Sequence, residues 1–113
     1  MQHIATHNVY IAADCEADYA VGITDGECEP YIKRGGTAYV RMCGELKDGD
    51  VGFFFDGHRA VIRQYCEDWA GNAHLLVLNR RLRERDVMFT ASEGMPVCLF
   101  GQVLLPKIPL PER

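Results

Sequence analysis

The chain has 113 residues, a length that suits one domain able to bury about two-thirds of the surface of its unfolded form. Its composition, with 48% apolar and 25% charged residues, is that of an ordinary globular protein and excludes a disordered or low-complexity chain. The net charge of -4 argues against nucleic-acid binding by this domain alone, because phosphate binding requires a clustered positive surface.

Five cysteines are dispersed along the chain without a C-x-x-C pair, namely Cys15, Cys28, Cys43, Cys66 and Cys98. This odd and scattered set is typical of reduced, mostly buried thiols in a cytoplasmic protein. The histidines are not spaced with the cysteines as zinc ligands are, so we predict no metal and no cofactor. Residues 1–9 lack the features of a signal peptide, and no apolar run is long enough to cross a bilayer. We therefore expect a soluble, cytoplasmic protein without membrane contact.

Short strands separated by turn signals dominate the chain, and helix signals are confined to single turns. The predicted strands cover residues 19–23, 37–42, 51–55, 58–65, 73–78, 86–90 and 96–105. The predicted helical turns cover residues 29–33, with Pro30 at the first position, and residues 79–86. The pattern predicts one all-β domain over residues 1–113, with twisted sheets or a barrel-like arrangement, β-hairpins and at most short helical turns.

Two glycine positions and the proline-rich end carry more specific predictions. Asp56-Gly57 lies between two apolar runs and predicts a two-residue type I′ hairpin, in which both central residues have positive φ. Gly101, inside the last predicted strand, indicates a bulge or a close approach of another backbone. Residues 106–113 contain three prolines and are expected to be extended.

Four segments of the chain follow one another as they do in a known family. They read DYAVGITDGECEPYIKRGGTAYV from Asp18 to Val40, GDVGFFFDGHRAVIRQ from Gly49 to Gln64, LLVLN from Leu75 to Asn79, and GQV from Gly101 to Val103. In order and spacing, this set resembles the C-terminal domain of LexA and phage repressors, which has a signal-peptidase-like serine peptidase fold. The resemblance spans residues 18–103 of the 113.

The resemblance implies a Ser–Lys dyad at two positions that this chain has substituted. In active members, the serine attacks a peptide bond in the chain's own upstream linker, and a neutral, buried lysine accepts its proton. Matched residue by residue, the serine position is Glu27 and the lysine position is Arg63. Cys28 stands at a methionine position, and Gly36 replaces an aspartate. Since a guanidinium stays protonated in proteins, the resemblance implies a degenerate dyad with no catalytic residue.

The residue inventory leads to the same expectation without the family. The only serine is Ser92, and the three lysines are Lys33, Lys47 and Lys107. None of the lysines lies on a predicted interior strand, where burial would favour the neutral amine. The chain therefore has very few residues that could form a Ser–Lys pair.

We predict that Glu27 and Arg63 form an ion pair where the dyad would otherwise be. A guanidinium presents a planar fork that suits a carboxylate, and either charge alone would be costly in a partly buried cleft. In the alternative, both side chains point independently to solvent. The neighbouring residues Cys28, Glu29 and Pro30 are candidates for lining such a cleft.

Two other groups of reactive or charged residues allow a functional and a structural interpretation. Cys28 with His58 or His74 as base would make a nucleophile, but the favoured interpretation is a small buried side chain at the methionine position. A run of four arginines also has two interpretations. It is either a patch that binds an anion or a partner, or a solvated turn in which Glu84 and Asp86 balance the charge, and the solvated turn is favoured. The run consists of Arg80, Arg81, Arg83 and Arg85.

Two apolar segments bear on assembly. The consecutive Phe53, Phe54 and Phe55 must alternate between the faces of a strand, so one face enters the core. The other face is covered by a second sheet or a partner subunit, or the strand is buried on both sides. Residues 103–109 either add to a partner's sheet, as C-terminal segments do in the family, or form a frayed end.

The function predicted from these observations is that of a non-catalytic oligomerisation or regulatory domain of a LexA- or phage-repressor-like transcription regulator. We expect a homodimer that contacts DNA only through a separate N-terminal domain, since no helix-turn-helix is found in this chain. Two alternatives remain. One is a self-cleaving peptidase that uses Cys28 or Ser92, and the other is a module that binds a peptide or small ligand between Glu27 and Arg63.

Overall fold

A computed structural model describes residues 4–5 and 17–111 of the chain. The interpretations made for Cys15 and for most of residues 1–9 fall outside these described residues. Eight strands, numbered in chain order, are β1 (Ile4–Ala5), β2 (Tyr19–Gly22), β3 (Thr37–Arg41), β4 (Val51–Phe55), β5 (Ala60–Glu67), β6 (Ala73–Val77), β7 (Val87–Phe89) and β8 (Cys98–Val103). Each of the seven predicted strands is present, so the predicted all-β class is confirmed.

The strands form one sheet with the order β1-β2-β3-β8-β4-β5-β6-β7. Strands β2 to β8 pair in antiparallel fashion, and the two residues of β1 add beside β2 in parallel. Within the described residues the two outer strands do not pair with each other, so of the two predicted arrangements the sheet is the open one and not the barrel-like one. Closure requires a consistent strand tilt and stagger, which local strand and turn signals do not specify.

The predicted hairpin between β4 and β5 is confirmed, but its turn type is wrong. The pairing ends at Phe55 and Ala60, and residues 56–59 make the connection. Gly57 has a φ of 99°, whereas no non-glycine residue among those described has a positive φ, so Asp56 does not adopt the type I′ conformation. Instead, the Asp56 carboxylate accepts hydrogen bonds from the backbone N–H groups of His58 and Arg59, at 2.8 and 2.9 Å. This side-chain turn makes a left-handed backbone at Asp56 unnecessary.

Gly101 provides both a bulge and a close backbone approach. Phe53 pairs with Gly101 and Phe54 pairs with Leu99, so Phe100 is the additional residue on β8. A Cβ atom at Gly101 would lie 2.6 Å from the backbone oxygen of Arg41. Only glycine therefore allows β3 and β8 to pair this closely at the bulge.

The two faces of β4 pack against different hydrophobic clusters of the same chain. Phe54 is fully buried with Val61 and Leu75 on one face, while the half-buried Phe53 packs on the other against the larger cluster. The predicted alternation is thus confirmed, and both faces are covered by this chain at Phe53 and Phe54. Phe55 is 38% exposed beyond them.

The C-terminal segment packs on its own domain instead of fraying. Ile108 is buried in the larger cluster, and its carbonyl accepts a hydrogen bond from Gln64 Nε2 at 2.9 Å. This contact fixes residues 104–108, which carry no regular secondary structure, along the centre of β5.

Of the two predicted helical turns, one forms a helix. A 3₁₀ helix spans Arg80–Arg85, and the Asn79 side chain caps it by accepting a hydrogen bond from the Arg81 backbone N–H. Residues 29–33 contain only a single turn and no helix: the N–H groups of Tyr31 and Ile32 both donate to the carbonyl of Cys28, which are the bonds of one isolated turn. No helix in the described residues has the length and apolar character needed to cross a membrane.

The described cysteines are less uniformly buried than predicted. Cys28 and Cys66 are buried, Cys43 is half-buried and Cys98 is exposed. Cys98 begins β8 opposite Phe55, at the end of the strand pair where the sheet leaves the core. The prediction of mostly buried thiols is therefore wrong for Cys98.

Candidate functional site

The turn that follows β2 is fixed to two neighbouring parts of the chain. The Asp25 carboxylate accepts a hydrogen bond from the backbone N–H of Glu27 at 3.0 Å. Asn79 ties the same turn to the start of the 3₁₀ helix, because its backbone N–H donates to the Glu27 carbonyl and its Nδ2 donates to the Gly26 carbonyl. The backbone on both sides of the Glu27 side chain is thereby held in place.

The carboxylate of Glu27 is buried and bound by three guanidinium groups. Its Oε1 accepts a hydrogen bond from Arg63 Nη1 at 3.1 Å, which confirms the predicted ion pair. Its Oε2 accepts from Arg59 Nη2 at 2.7 Å and from Arg85 Nη1 at 2.5 Å. We call Glu27, Arg59, Arg63 and Arg85 the arginine cluster.

Each arginine of the cluster comes from a different element. Arg63 lies in the centre of β5, where its backbone pairs with Gly52 and Val77 on either side, and it is only 5% exposed. Arg59 comes from the β4–β5 connection, and Arg85 ends the 3₁₀ helix. The side chains of Arg59 and Arg85 are half-exposed, so the cluster has one buried and two outer guanidinium groups.

The cluster keeps Glu27 ionised in spite of its burial. Burial alone would raise the pKa of this carboxyl, but hydrogen bonds from Arg59 and Arg63, the charge of Arg63 and the bond from Arg85 outweigh it and lower the pKa to about 2. Asp25 lies 3.7 Å from Arg59 and supplies a second negative charge at the outer side. Three guanidinium cations thus surround the carboxylates of Glu27 and Asp25, so the charges of the buried Glu27–Arg63 pair are balanced by charged neighbours.

Sequence reasoning found Arg63 and missed Arg59 and Arg85. In the strand predicted over residues 58–65, residues 59, 61 and 63 fall on one face, so period-two alternation was a signal for Arg59. Arg85 is 58 residues from Glu27 in sequence, and nothing local connects the two. The interpretation of the arginine run as a solvated turn is confirmed for Arg80, which binds both carboxylate oxygens of Asp86, but it did not include the contact of Arg85 with Glu27.

The three predicted cleft residues do not line one cleft. Cys28 and Glu27 border a cavity of about 390 Å³ beside β2 and β5. Glu29 and Pro30 border a different opening of about 440 Å³, together with Lys33. The turn separates these two spaces, because Cys28 faces the core while the next two residues face outward.

The thiol of Cys28 is poorly suited to be a nucleophile. Burial first, and the nearby Asp25 carboxylate second, raise the pKa of this thiol to about 12. Among the described residues neither candidate base binds it, since His58 is exposed and the His74 ring lies 2.9 Å from an Asp68 oxygen.

We expect Cys28 to resist alkylation in the folded protein. At pH 8, iodoacetamide should modify the exposed Cys98 readily and Cys28 about a thousandfold more slowly, because so little Cys28 thiolate is present. Peptide mapping after timed quenching measures both rates in one sample, and unfolding in urea should equalise them. Similar rates in the folded state would show that the thiol is accessible and activated.

The remaining candidates for a Ser–Lys pair lie away from the arginine cluster. Ser92 is exposed in the turn after β7, with its hydroxyl 3.3 Å from that of Thr90. Lys33, Lys47 and Lys107 are all exposed. Within the part of the chain that the structure describes, no three metal-ligating side chains converge on a point.

Comparison of the chain with protein-family models and with curated proteins gave no match.

Proposed function

We propose that the chain is a non-catalytic regulatory and oligomerisation domain similar to the C-terminal domain of LexA and phage repressors. The observation that carries the proposal is the contact between Glu27 and Arg63. The family resemblance matches these residues to the serine and the lysine from sequence order alone, yet their side chains meet at 3.1 Å although 36 residues separate them. Both are buried, as a working dyad requires of its lysine.

The chemistry of this pair supports a structural function. A guanidinium holds its proton at any pH that a protein tolerates, so Arg63 does not act as a general base. Both oxygens of Glu27 already accept hydrogen bonds from arginines, so the carboxylate is not available as a nucleophile. What the pair does is hold the turn after β2 against β5.

The edge strand β7 supports self-association. It ends the sheet and pairs only with β6 among the described strands. Its side chains Val87 and Met88 are 46% and 51% exposed. The edge strands of monomeric proteins, in contrast, usually carry charged residues or proline, which prevent pairing with another chain. We propose that two copies pair β7 with β7 in antiparallel fashion across a two-fold axis. In this proposal the domain is cytoplasmic, and DNA is bound by a separate domain of the natural protein.

Sedimentation velocity over a range of protein concentrations tests the proposed dimer. We expect the wild-type chain to dimerise and M88K to remain monomeric, because a lysine on the edge strand places two like charges at the two-fold axis. M42K is the matched control, since Met42 is 65% exposed but lies outside the sheet after β3. A monomeric wild type, or equal disruption by M42K, would contradict dimerisation through β7.

A further inference from the structure

A cavity of about 230 Å³ lies beside Arg63, between β5, β6 and β7. Most of its lining is apolar: Val61, Leu75, Val87, Phe89, Pro96 and Val97. The polar groups at its border are Arg63, Arg85 and Asp56. The space corresponds to about eight water volumes and is smaller than the sites that bind drug-sized molecules.

The buried guanidinium of Arg63 has donors that the protein does not use. Its Nη1 donates to Glu27 Oε1 and to the Ile62 carbonyl, at 3.1 and 2.9 Å. No group within residues 17–111 accepts a hydrogen bond from its Nε or Nη2. Every completely buried polar side-chain atom in the described residues does have a partner, so these two nitrogens must reach open space. Arg63 is only 5% exposed and borders this cavity, so we assign the cavity as the space that the two nitrogens reach.

The unused donors border a mostly apolar space, where an anionic acceptor would bind them more strongly than it would in open water. Arg85 also donates only through Nη1 within the described residues, and adds a second cation at the same end. Asp56 is the one carboxylate on the border, and its Oδ1 is already bound by two backbone N–H groups.

We propose that this cavity binds a small monocarboxylate with an apolar chain. The carboxylate would accept hydrogen bonds from the Nε and Nη2 edge of Arg63 and from Arg85, in the forked geometry that guanidinium groups favour. The apolar chain would pack against Val61, Leu75 and Val97. Glu27 fixes the guanidinium from its other side, so the edge facing the cavity is held in position before a ligand arrives. The proposal goes beyond the non-catalytic function and holds whether or not the chain is a regulator.

Titration of the isotopically labelled full chain with hexanoate, monitored by ¹H–¹⁵N NMR spectra, tests the proposal. We expect saturable shifts at Val61, Phe89 and Val97. Hexan-1-ol, which has the chain without the charge, and acetate, which has the charge without the chain, should each bind at least about tenfold more weakly. Binding of the alcohol or of acetate with the same affinity as hexanoate would overturn the proposal, as would no saturable shift with any of the three.

Two variants locate the binding. V97F should fill the cavity and abolish hexanoate binding while the arginine cluster remains intact. R85Q leaves Glu27 with two arginines and should weaken hexanoate about tenfold, whereas R81Q, an exposed residue of the same helix, should not. If V97F does not give a folded spectrum, the comparison of R85Q with R81Q still decides. Unchanged binding in R85Q, or in a folded V97F, would place hexanoate elsewhere and refute the assignment.

Discussion

The E27Q variant is expected to have a free energy of unfolding about 3–5 kcal/mol below that of the wild type, because it leaves the buried Arg63 guanidinium without its counter-ion. Glutamine has nearly the same size as glutamate and keeps one acceptor oxygen, so the loss reflects charge and not packing. It also points an amide N–H₂ group at arginines that can only donate. A loss of this size is a large part of the 5–15 kcal/mol that holds a typical domain folded.

Urea denaturation followed by circular dichroism measures this loss. Fluorescence would report poorly, since the single tryptophan, Trp69, is already 98% exposed in the folded protein. E29Q is the matched control, because it makes the same change two residues away on a more exposed side chain and should cost less than about 0.5 kcal/mol. If E27Q and E29Q unfold alike, the carboxylate of Glu27 does not stabilise the fold as the arginine cluster implies.

The double variant E27S/R63K is expected to gain a reactive serine at position 27. A lysine at position 63 would be buried next to Arg59 and Arg85, and both burial and like charges lower the pKa of an amine toward neutrality. The neutral amine would accept the hydroxyl proton while the serine oxygen attacks the phosphorus of a fluorophosphonate probe and fluoride leaves. General-base assistance of this kind is worth about 10²–10⁴ in rate.

The single variant E27S is the control for this gain. It carries the same hydroxyl, but the Arg63 beside it cannot accept a proton. Intact-mass spectrometry with the probe should therefore show labelling of E27S/R63K at least about a hundredfold faster than labelling of E27S, and none of the wild type at position 27. Circular dichroism establishes that both variants are folded. Equal labelling of two folded variants would show that positions 27 and 63 do not correspond to the serine and lysine of the family.

The strands were predictable because their signals are local. Alternation and β-branched or aromatic content located seven of the eight strands to within two residues, all except β1, and Asp56-Gly57 located the hairpin between β4 and β5. The strand order was not predictable in the same way. Strand β8 inserts between β3 and β4, and the contact of Arg41 with Gln102 spans 61 residues, for which no turn or periodicity is a signal.

The candidate site was predictable only where the family resemblance reached. It paired Glu27 with Arg63, two residues that composition alone would leave on the surface. It did not include Arg85. The position of Arg85 depends on how the 3₁₀ helix turns back toward β5, and the contact between Arg80 and Asp86 holds the two ends of that helix. Nor did the resemblance indicate that the far side of Arg63 borders an apolar cavity, because β7 and the segment before β8 form that wall through non-local packing.

The pH dependence of the fold follows from the lowered pKa of Glu27. Its pKa in the folded chain is about 2, below the ordinary value of 4.5, so the ionised carboxylate stabilises the folded state. This contribution is complete above pH 4.5 and is lost as the pH falls toward 2. The difference in unfolding free energy between the wild type and E27Q should shrink over the same interval. Because E27Q retains every other carboxyl group, this difference isolates the contribution of Glu27.

The most direct measurement is an NMR titration of the Glu27 side-chain carboxyl carbon, assigned by comparison with E27Q. A carboxylate bound by three arginines should keep its ionised chemical shift down to a pH near 2. A Glu27 that titrates near 4.5 would mean that the arginines do not bind it in solution. The assignment of a buried ion pair to positions 27 and 63 would then be wrong.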